Sequence, residues 1–141
     1  MGNTTVTRYH DISCGHRVVG HEGHCAFLHG HNYRIFITCK GIRNDTIGRV
    51  IDFSVLKEKV FAYIEKTIDH RFLVWRDDPL KEKLQDISPM SIVVVDFNPT
   101  AENIAEWIVE KIGPFTLRGT SVRIISCTVE ETRKCSATYS L

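Results

Sequence analysis

The sequence predicts an α+β fold, in which one sheet is packed against amphipathic helices. Three observations support this class. Two segments rich in β-branched residues open the chain, two stretches with apolar residues at three- and four-residue steps follow, and alternating segments typical of strands close it. A chain of 141 residues is long enough for one hydrophobic core and short for two, so we expect a single domain over residues 1–141.

The first two strands are expected at Thr5 to Ser13 and at His31 to Lys40. In the second strand, apolar residues recur at period two and share one face: Tyr33, Ile35, Ile37 and Cys39. The segment between the strands, GHEGHCAFLHG at residues 20–30, has the composition of a turn. The two strands can therefore form a hairpin.

Two amphipathic helices follow. The first runs from Ser54 to about Asp69, with its inward positions at Leu56, Val60, Tyr63, Ile64 and Thr67. The second follows Pro99, with Thr100 as N-cap and Gly113-Pro114 as the stop, and its inward positions are Ala101, Ile104, Ile108 and Ile112.

Three further strands are expected at Ser91 to Phe97, Ser121 to Glu131 and Cys135 to Ser140. The charged stretch Asp77 to Ser88 is interpreted as a surface loop. The expected order is therefore strand, strand, helix, short strand, helix, strand, strand.

Composition excludes several classes of function. The 18 basic and 17 acidic side chains nearly cancel, and no basic stripe suits a nucleic-acid backbone. No apolar run approaches the roughly 18 to 20 residues of a membrane span, and Met1 to His10 lacks a signal peptide's hydrophobic centre. Five cysteines, an odd number, favour reduced thiols. We expect a soluble cytoplasmic protein that binds neither nucleic acid nor membrane.

A cluster of histidines indicates a metal site. Five of the seven histidines lie within sixteen residues: His16, His21, His24, His29 and His31. His29 and His31 are two residues apart, so their side chains leave an extended chain on the same face. His16 can reach the same point across a hairpin. Three histidine ligands with an open fourth position are typical of catalytic zinc, although His-Gly-His alone would more simply be an exposed strand end.

Cys25 decides between two kinds of protein. Beside three histidines it can be a reactive group, or it can be a fourth ligand that closes a structural zinc site. Downstream, Asp69-His70 suits proton transfer, and Glu130 and Glu131 offer carboxylates to a donor-rich ring edge. Their plainer interpretations are a charged pair at a helix end and exposed charges at a strand end.

Four motifs in order resemble the 6-pyruvoyl-tetrahydropterin synthase and 6-carboxy-tetrahydropterin synthase family, over nearly the whole chain. They are His16 with the segment Cys25-Ala-Phe-Leu-His29-Gly-His31-Asn-Tyr33, the pair Asp69-His70, the segment Pro99-Thr-Ala-Glu-Asn-Ile-Ala105, and Val129-Glu-Glu131-Thr132. The resemblance implies a T-fold: an antiparallel sheet with two helices on one face, assembled into an oligomeric barrel. A homohexamer with active sites between subunits is the common form.

The resemblance also implies roles for individual residues. His16, His29 and His31 would bind Zn²⁺, Cys25 would be the base that abstracts a proton, and Asp69 with His70 would be its relay. Glu131, which matches the family's Glu-Thr pair better than Glu130, would anchor the pterin ring. Thr100 and Glu102 would line the pterin pocket.

The substrate that the resemblance implies is 7,8-dihydroneopterin triphosphate. Three residues separate Cys25 from His29, a spacing that favours the 6-carboxy enzymes. We therefore expect 6-carboxy-5,6,7,8-tetrahydropterin, with release of acetaldehyde and triphosphate, as a step toward queuosine and other 7-deazaguanines. The alternatives are 6-pyruvoyl-tetrahydropterin, formed by loss of triphosphate only, and a non-catalytic zinc protein.

Overall fold

A mixed sheet forms the centre of the computed structural model, which describes residues 2–41 and 46–141. Within these ranges its six strands are β1 (Thr5–His16), β2 (His29–Lys40), β3 (Arg71–Trp75), β4 (Ile92–Val95), β5 (Arg123–Thr132) and β6 (Cys135–Ser140). Their order across the sheet is β4-β3-β1-β2-β5-β6. The pairs β1–β2, β2–β5 and β5–β6 are antiparallel, whereas β1–β3 and β3–β4 are parallel.

In the part of the chain that the structure describes, two long helices and one short helix accompany the sheet. They are α1 (residues 53–68), α2 (Lys81–Ile87) and α3 (residues 101–116), and both long helices contain a π-helical stretch, at Leu56–Phe61 and at Ile108–Ile112. The inward side chains of α1 and α3 share one core cluster with the buried face of the sheet. The predicted α+β class is confirmed.

The core explains the pattern of the two central strands. Along β2 the side chains of Tyr33, Ile35, Ile37 and Cys39 are almost fully buried, and the intervening residues are not. The fully buried Leu56, Val60 and Ile64 belong to the same cluster from α1. Apolar side chains that recur every two residues on the strand and every three to four residues on the helix therefore pack together in one apolar layer.

Two expectations about regular structure were incomplete. β3 was not anticipated, because it is only five residues long and follows α1 with a two-residue connection. The parallel pairs that β3 forms make the sheet mixed, so the antiparallel arrangement describes four of the six strands in the described residues.

The expectation of a surface loop from Asp77 to Ser88 was partly wrong. Residues Lys81–Ile87 form α2, which has no buried residue and so lacks the apolar stripe that marks most helices. Its Lys, Glu, Leu and Gln residues have high intrinsic helix propensity, which explains a helix without such a stripe. Asp78, also assigned to that loop, is buried.

The second long helix continues beyond its expected stop at Gly113-Pro114. Thr100 is its N-cap, as expected, and accepts a hydrogen bond from Asn103 N–H at 3.1 Å. The π-helical stretch Ile108–Ile112 comes immediately before the glycine and proline, and the helix then runs on to Thr116. The wider turn gives room to a proline ring that would crowd a regular α-helix.

An ion pair ties the end of β1 to the turn after β3. Arg17 Nε lies 2.7 Å from Asp78 Oδ2, and Arg17 Nη2 lies 2.9 Å from Asp78 Oδ1. Burial acts to raise the pKa of Asp78, but the hydrogen bonds from Arg17 and from Leu80 N–H outweigh it and hold the pKa below 3.8.

None of the described helices is both long and apolar enough to cross a membrane.

We predict that Asp78→Asn removes a contribution of this ion pair to the free energy of unfolding, and that this contribution depends on pH. Because the pKa is lowered in the folded state, the contribution of the carboxylate is complete above the unfolded pKa and is lost as pH falls through the folded pKa. Breaking a buried pair costs about 3 kcal/mol. Urea unfolding from pH 7 downward should show that difference at pH 7 and a shrinking difference below about pH 4.

The matched control is Asp96→Asn, whose carboxylate is 84% exposed beside Arg76. An exposed pair contributes little at any pH. A difference between wild type and Asp78→Asn that stayed constant from pH 7 to pH 3 would contradict the role given to the ion pair.

Candidate metal centre and active site

Three imidazoles meet at the end of the β1–β2 hairpin. The antiparallel register pairs His16 with His29 and Cys14 with His31. One ring nitrogen from each of His16, His29 and His31 lies within 4.8 Å of the corresponding nitrogens of the other two. Among the described residues, this group holds the three histidines and neither Cys25 nor Glu131.

Backbone carbonyls orient two of the three rings. His16 Nδ1 lies 2.6 Å from the carbonyl oxygen of Pro99, and His29 Nδ1 lies 2.7 Å from that of Phe27. A ring that donates from Nδ1 presents the lone pair of Nε2, which is the arrangement found at metal-binding histidines. The Nε2 atoms of His16 and His31 are buried and have no hydrogen-bond partner. The group therefore fits a metal ion.

Burial favours the neutral form of two of these imidazoles, His16 and His31. Burial lowers the pKa of His16 to about 4, against the raising effect of the Pro99 carbonyl and with further lowering from His29 and His31. Burial also lowers the pKa of His31, although Glu131 opposes the shift. Neutral imidazole is the form that binds metal, so the site is ready for an ion at neutral pH.

A carboxylate and a phenol flank the three rings. Glu131 Oε2 lies 3.7 Å from His31 Nε2, and Glu131 Oε1 lies 3.9 Å from His16 Nε2. The ring of Tyr33 meets those of His31 and His16 edge-on, at centroid distances of 5.4 and 5.8 Å. The Tyr33 hydroxyl is buried without a partner, and its pKa is raised by burial and then by Glu131.

The sequence pattern marks Tyr33 only as a core residue of β2, which it also is, since only 2% of it is exposed. Its position two residues after His31 was the available signal, because alternate residues of a strand share a face.

Cys25 lies on a short 3-10 turn, His24–Ala26, in the segment that connects β1 to β2. Its side chain is partly buried, and its carbonyl oxygen accepts a hydrogen bond from Val18 N–H at 2.7 Å. Since the thiol is outside the three-histidine group that could hold a metal ion, the structure favours an open fourth position over a closed four-ligand site.

The pair Asp69-His70 lies directly after α1. His70 Nδ1 is 3.0 Å from Asp69 Oδ2, and the other carboxylate oxygen accepts a hydrogen bond from Ser13 N–H at 2.9 Å. Burial acts to raise the pKa of Asp69, but the bonds from Ser13 and His70 hold it below 3.8. The pair is thus a carboxylate fixed on the sheet that orients an imidazole.

His70 has two unusual features. Its φ of 58° makes it the one non-glycine residue with positive φ among those described, and its side chain is 81% exposed. Its N–H donates to Ser13 C=O at 2.7 Å, which holds the backbone in this conformation. Left-handed backbone in a residue other than glycine often marks a functional position.

An open groove of about 1060 Å³ adjoins the three-histidine group at His31. Its lining also includes Asp69, His70 and Glu131, so the structure brings the expected proton-transfer pair and the expected pterin anchor to one surface. Cys25 does not belong to that lining.

Two other expected residues also lie outside the groove lining: Thr100 and Glu102. The Thr100 hydroxyl oxygen caps α3, and Glu102 is exposed in the first turn of the same helix. Their expected contact with a pterin stays a prediction.

Fold and site together define a class: an α+β chain whose hairpin presents three histidines able to hold a metal ion. The model of the 6-pyruvoyl tetrahydropterin synthase family matches residues 5–141. The chain belongs to this family, and with it to a class of enzymes that act on pterins.

Relatives and solved structures agree with this assignment. A 6-carboxy-5,6,7,8-tetrahydropterin synthase of Rickettsia typhi is 34% identical over 130 residues, which cover 92% of this chain and 94% of that protein. The enzyme of the same name from Aquifex aeolicus is 31% identical, covering 82% and 75%. The 6-pyruvoyl tetrahydropterin synthase of Caenorhabditis elegans superposes with a TM-score of 0.71 at 26% identity, covering 100% and 97%. An uncharacterized protein of Wolinella succinogenes reaches a TM-score of 0.86 at 26% identity, covering 99% of each chain.

We predict that metal binding depends on the imidazoles and not on the thiol. Loss of a residue that only supports a metal ligand costs about 10- to 100-fold in metal affinity. Because His31→Ala removes a ligand itself, it should weaken metal affinity by more than about 100-fold. Cys25→Ala should bind metal as wild type does. Elemental analysis after dialysis against a weak chelator measures both.

The control is His24→Ala, which removes an imidazole from the same connecting segment but from outside the three-histidine group. It should retain its metal. If Cys25→Ala lost the ion together with His31→Ala, the thiol would be a ligand and the site a closed structural one.

Proposed function

We propose that this protein is a zinc-dependent 6-carboxy-5,6,7,8-tetrahydropterin synthase that acts on 7,8-dihydroneopterin triphosphate. The observation that carries the proposal is the convergence of three imidazoles beside a groove that contains Asp69, His70 and Glu131. The 6-carboxy enzymes among the relatives give the direction of the chemistry.

Zinc suits the ligand set. Three neutral nitrogens are typical of catalytic Zn²⁺ sites, in which the fourth position stays open to water or substrate. When bound, the ion would supply Lewis acidity to the side-chain oxygens of the substrate, which acidifies the adjacent C–H bonds. The carbonyls of Pro99 and Phe27 keep His16 and His29 aimed at the ion.

Cys25 is the proposed base. It would take a proton from the substrate side chain, and Asp69 with His70 would pass protons between the side chain and solvent. The orientation of His70 by Asp69 at 3.0 Å supports that relay, as does the exposure of the imidazole to solvent and to neighbouring molecules.

Separate surfaces for Cys25 and the relay support an oligomeric active site. Within one chain, the groove that contains His70 does not include Cys25. Two adjacent apolar side chains beside Cys25, Phe27 and Leu28, are 64% and 55% exposed. A homo-oligomer, in the proposed hexameric form, would cover these side chains and bring His70 of one subunit to Cys25 of another.

Glu131 is the proposed anchor of the pterin ring. A carboxylate accepts a pair of hydrogen bonds from an amino group and a ring N–H, which fixes the ring in its plane. Its oxygens lie 3.7 and 3.9 Å from Nε2 of His31 and of His16, so a ring held there lies next to the three-histidine group. Thr100 and Glu102 remain proposed contacts to the same ring.

The product is proposed as the 6-carboxy compound, a precursor of queuosine and other 7-deazaguanines. The family model and the worm structure carry the name of the 6-pyruvoyl enzyme, which makes loss of triphosphate alone the second candidate. Acetaldehyde is released in the first reaction and not in the second.

The free cysteines fit a cytoplasmic location.

The proposed activity predicts turnover of dihydroneopterin triphosphate by the zinc-loaded protein, with acetaldehyde and 6-carboxy-tetrahydropterin as products by mass spectrometry. Cys25→Ala should lower kcat by about 10³-fold, the usual contribution of a base, while zinc content stays unchanged. Cys135→Ala, which removes an exposed thiol on β6, is the control and should be fully active. Turnover without acetaldehyde would replace the 6-carboxy assignment by the 6-pyruvoyl one.

An intersubunit active site predicts complementation between two inactive variants. Cys25→Ala and His70→Ala, unfolded together and refolded at equal amounts, should recover about a quarter of wild-type activity, because that fraction of sites combines an intact thiol with an intact imidazole. The same quantity of each variant refolded alone is the control. Activity that stayed at the level of the separate variants would place both residues in one subunit.

A further inference from the structure

The position of Cys25 depends on contacts made outside its own turn. The 3-10 turn His24–Ala26 has no side-chain cap at Gly23, and within the connecting segment Val18 N–H bonds Cys25 C=O at 2.7 Å. So short a turn does not hold its shape unaided. The side chains of Arg17 and Asn98 make hydrogen bonds to the backbone on the two sides of this turn.

Asn98 fixes one limb of the segment. Its Oδ1 accepts Val19 N–H at 3.0 Å, and its Nδ2 donates to Val19 C=O at 2.9 Å. Asn98 immediately precedes Pro99, whose carbonyl oxygen orients His16. The limb that leaves β1 is therefore tied to the same short stretch of chain that supports a metal ligand.

Arg17 fixes the other limb, the one that carries Cys25. While Nε and Nη2 bind the two oxygens of Asp78, Nη1 donates to the carbonyl oxygen of Ala26 at 3.1 Å. The guanidinium thus joins three parts of the chain: the residue after His16, the turn after β3, and the residue after Cys25.

The ion pair behind this contact is rigid. The Asp78 side chain is fully buried, that of Arg17 is 16% exposed, and Leu80 N–H adds a hydrogen bond to Asp78 Oδ1 at 2.8 Å. A bidentate pair of this kind fixes the plane of the guanidinium as well as its position. With the plane fixed in this way, one N–H of Nη1 is directed toward the carbonyl oxygen of Ala26.

We infer that Arg17, held by Asp78, is a positioning residue that sets the distance between the thiol of Cys25 and the metal centre. His16 and Arg17 are consecutive, so the metal ligand and the anchor of the thiol segment move as one unit. Displacement of a reacting group by about 1 Å costs about 100-fold in rate. The inference rests on the proposed function, in which Cys25 is the base.

The test is Arg17→Lys in the zinc-loaded protein, with two measurements. A single ammonium keeps an ionic contact with Asp78 but does not reproduce the planar set of bonds to both carboxylate oxygens and to Ala26. We expect kcat to fall about 100-fold with KM and zinc content unchanged. We also expect iodoacetamide to alkylate Cys25 faster than in wild type, measured by peptide mass spectrometry against Cys135 in the same digest.

The matched control is Arg76→Lys. Arg76 Nη1 makes a comparable bond of 3.2 Å to Asp96, but its side chain is 59% exposed and belongs to none of these contacts. This variant should match wild type in both measurements. Thermal unfolding of both variants confirms that each assay is run on folded protein.

Three results would overturn the inference. In the first, Arg17→Lys matches Arg76→Lys in kcat and in the alkylation of Cys25. In the second, it raises KM and leaves kcat unchanged. In the third, it loses zinc, which would make Arg17 a support for His16. Alkylation needs no substrate. Failure of the wild type to turn over dihydroneopterin triphosphate would therefore remove the proposed function, while the labelling still decides whether Arg17 positions Cys25.

Discussion

The register between β1 and β2 is the constraint on which the site depends. It places His16 opposite His29 and Cys14 opposite His31, and the period of the strand then turns all three imidazoles to the face that carries the core. A slip of one residue would send the ligands of β2 to the opposite face. The buried series Tyr33, Ile35 and Ile37 on the same strand prevents that slip, because it would expose them together.

Burial makes this centre costly until an ion is bound. The Nε2 atoms of His16 and His31 are shielded from water and have no hydrogen-bond partner in the protein. Each unsatisfied buried group costs about 1–3 kcal/mol, and a metal bond removes that cost. A bound ion should accordingly stabilise the fold, and its loss should loosen the end of the hairpin before the apolar layer under α1.

Much of this architecture follows from local pattern. The long helices, the hairpin and the last two strands carry periodicities of two or of three to four residues, and the spacing of His29 and His31 already places them on one face. The short strand β3 and the helix α2 carry no such period, so they escaped prediction. Asp78 was assigned to the surface because its partner Arg17 lies 61 residues away in the chain, and only the folded structure brings them together.

Residues that serve both packing and chemistry are the hardest to recognise in sequence. Tyr33 has the pattern of a core residue, yet its hydroxyl has no hydrogen-bond partner and its ring packs edge-on against those of His16 and His31. The role of Asn98 in holding Val19 is equally invisible, since an asparagine before a proline most simply indicates a turn. In both cases the informative quantity is a distance between segments that are remote in sequence.

The left-handed backbone of His70 sets a limit on how this protein can be stabilised. Glycine, or to a lesser degree asparagine, adopts a φ of 58° with less strain than histidine does. Selection for thermal resistance alone would therefore favour replacing the imidazole at that turn. Its retention would be the mark of selection for turnover, and an engineered variant screened only for melting temperature would tend to lose the proposed proton relay in exchange for a less strained backbone.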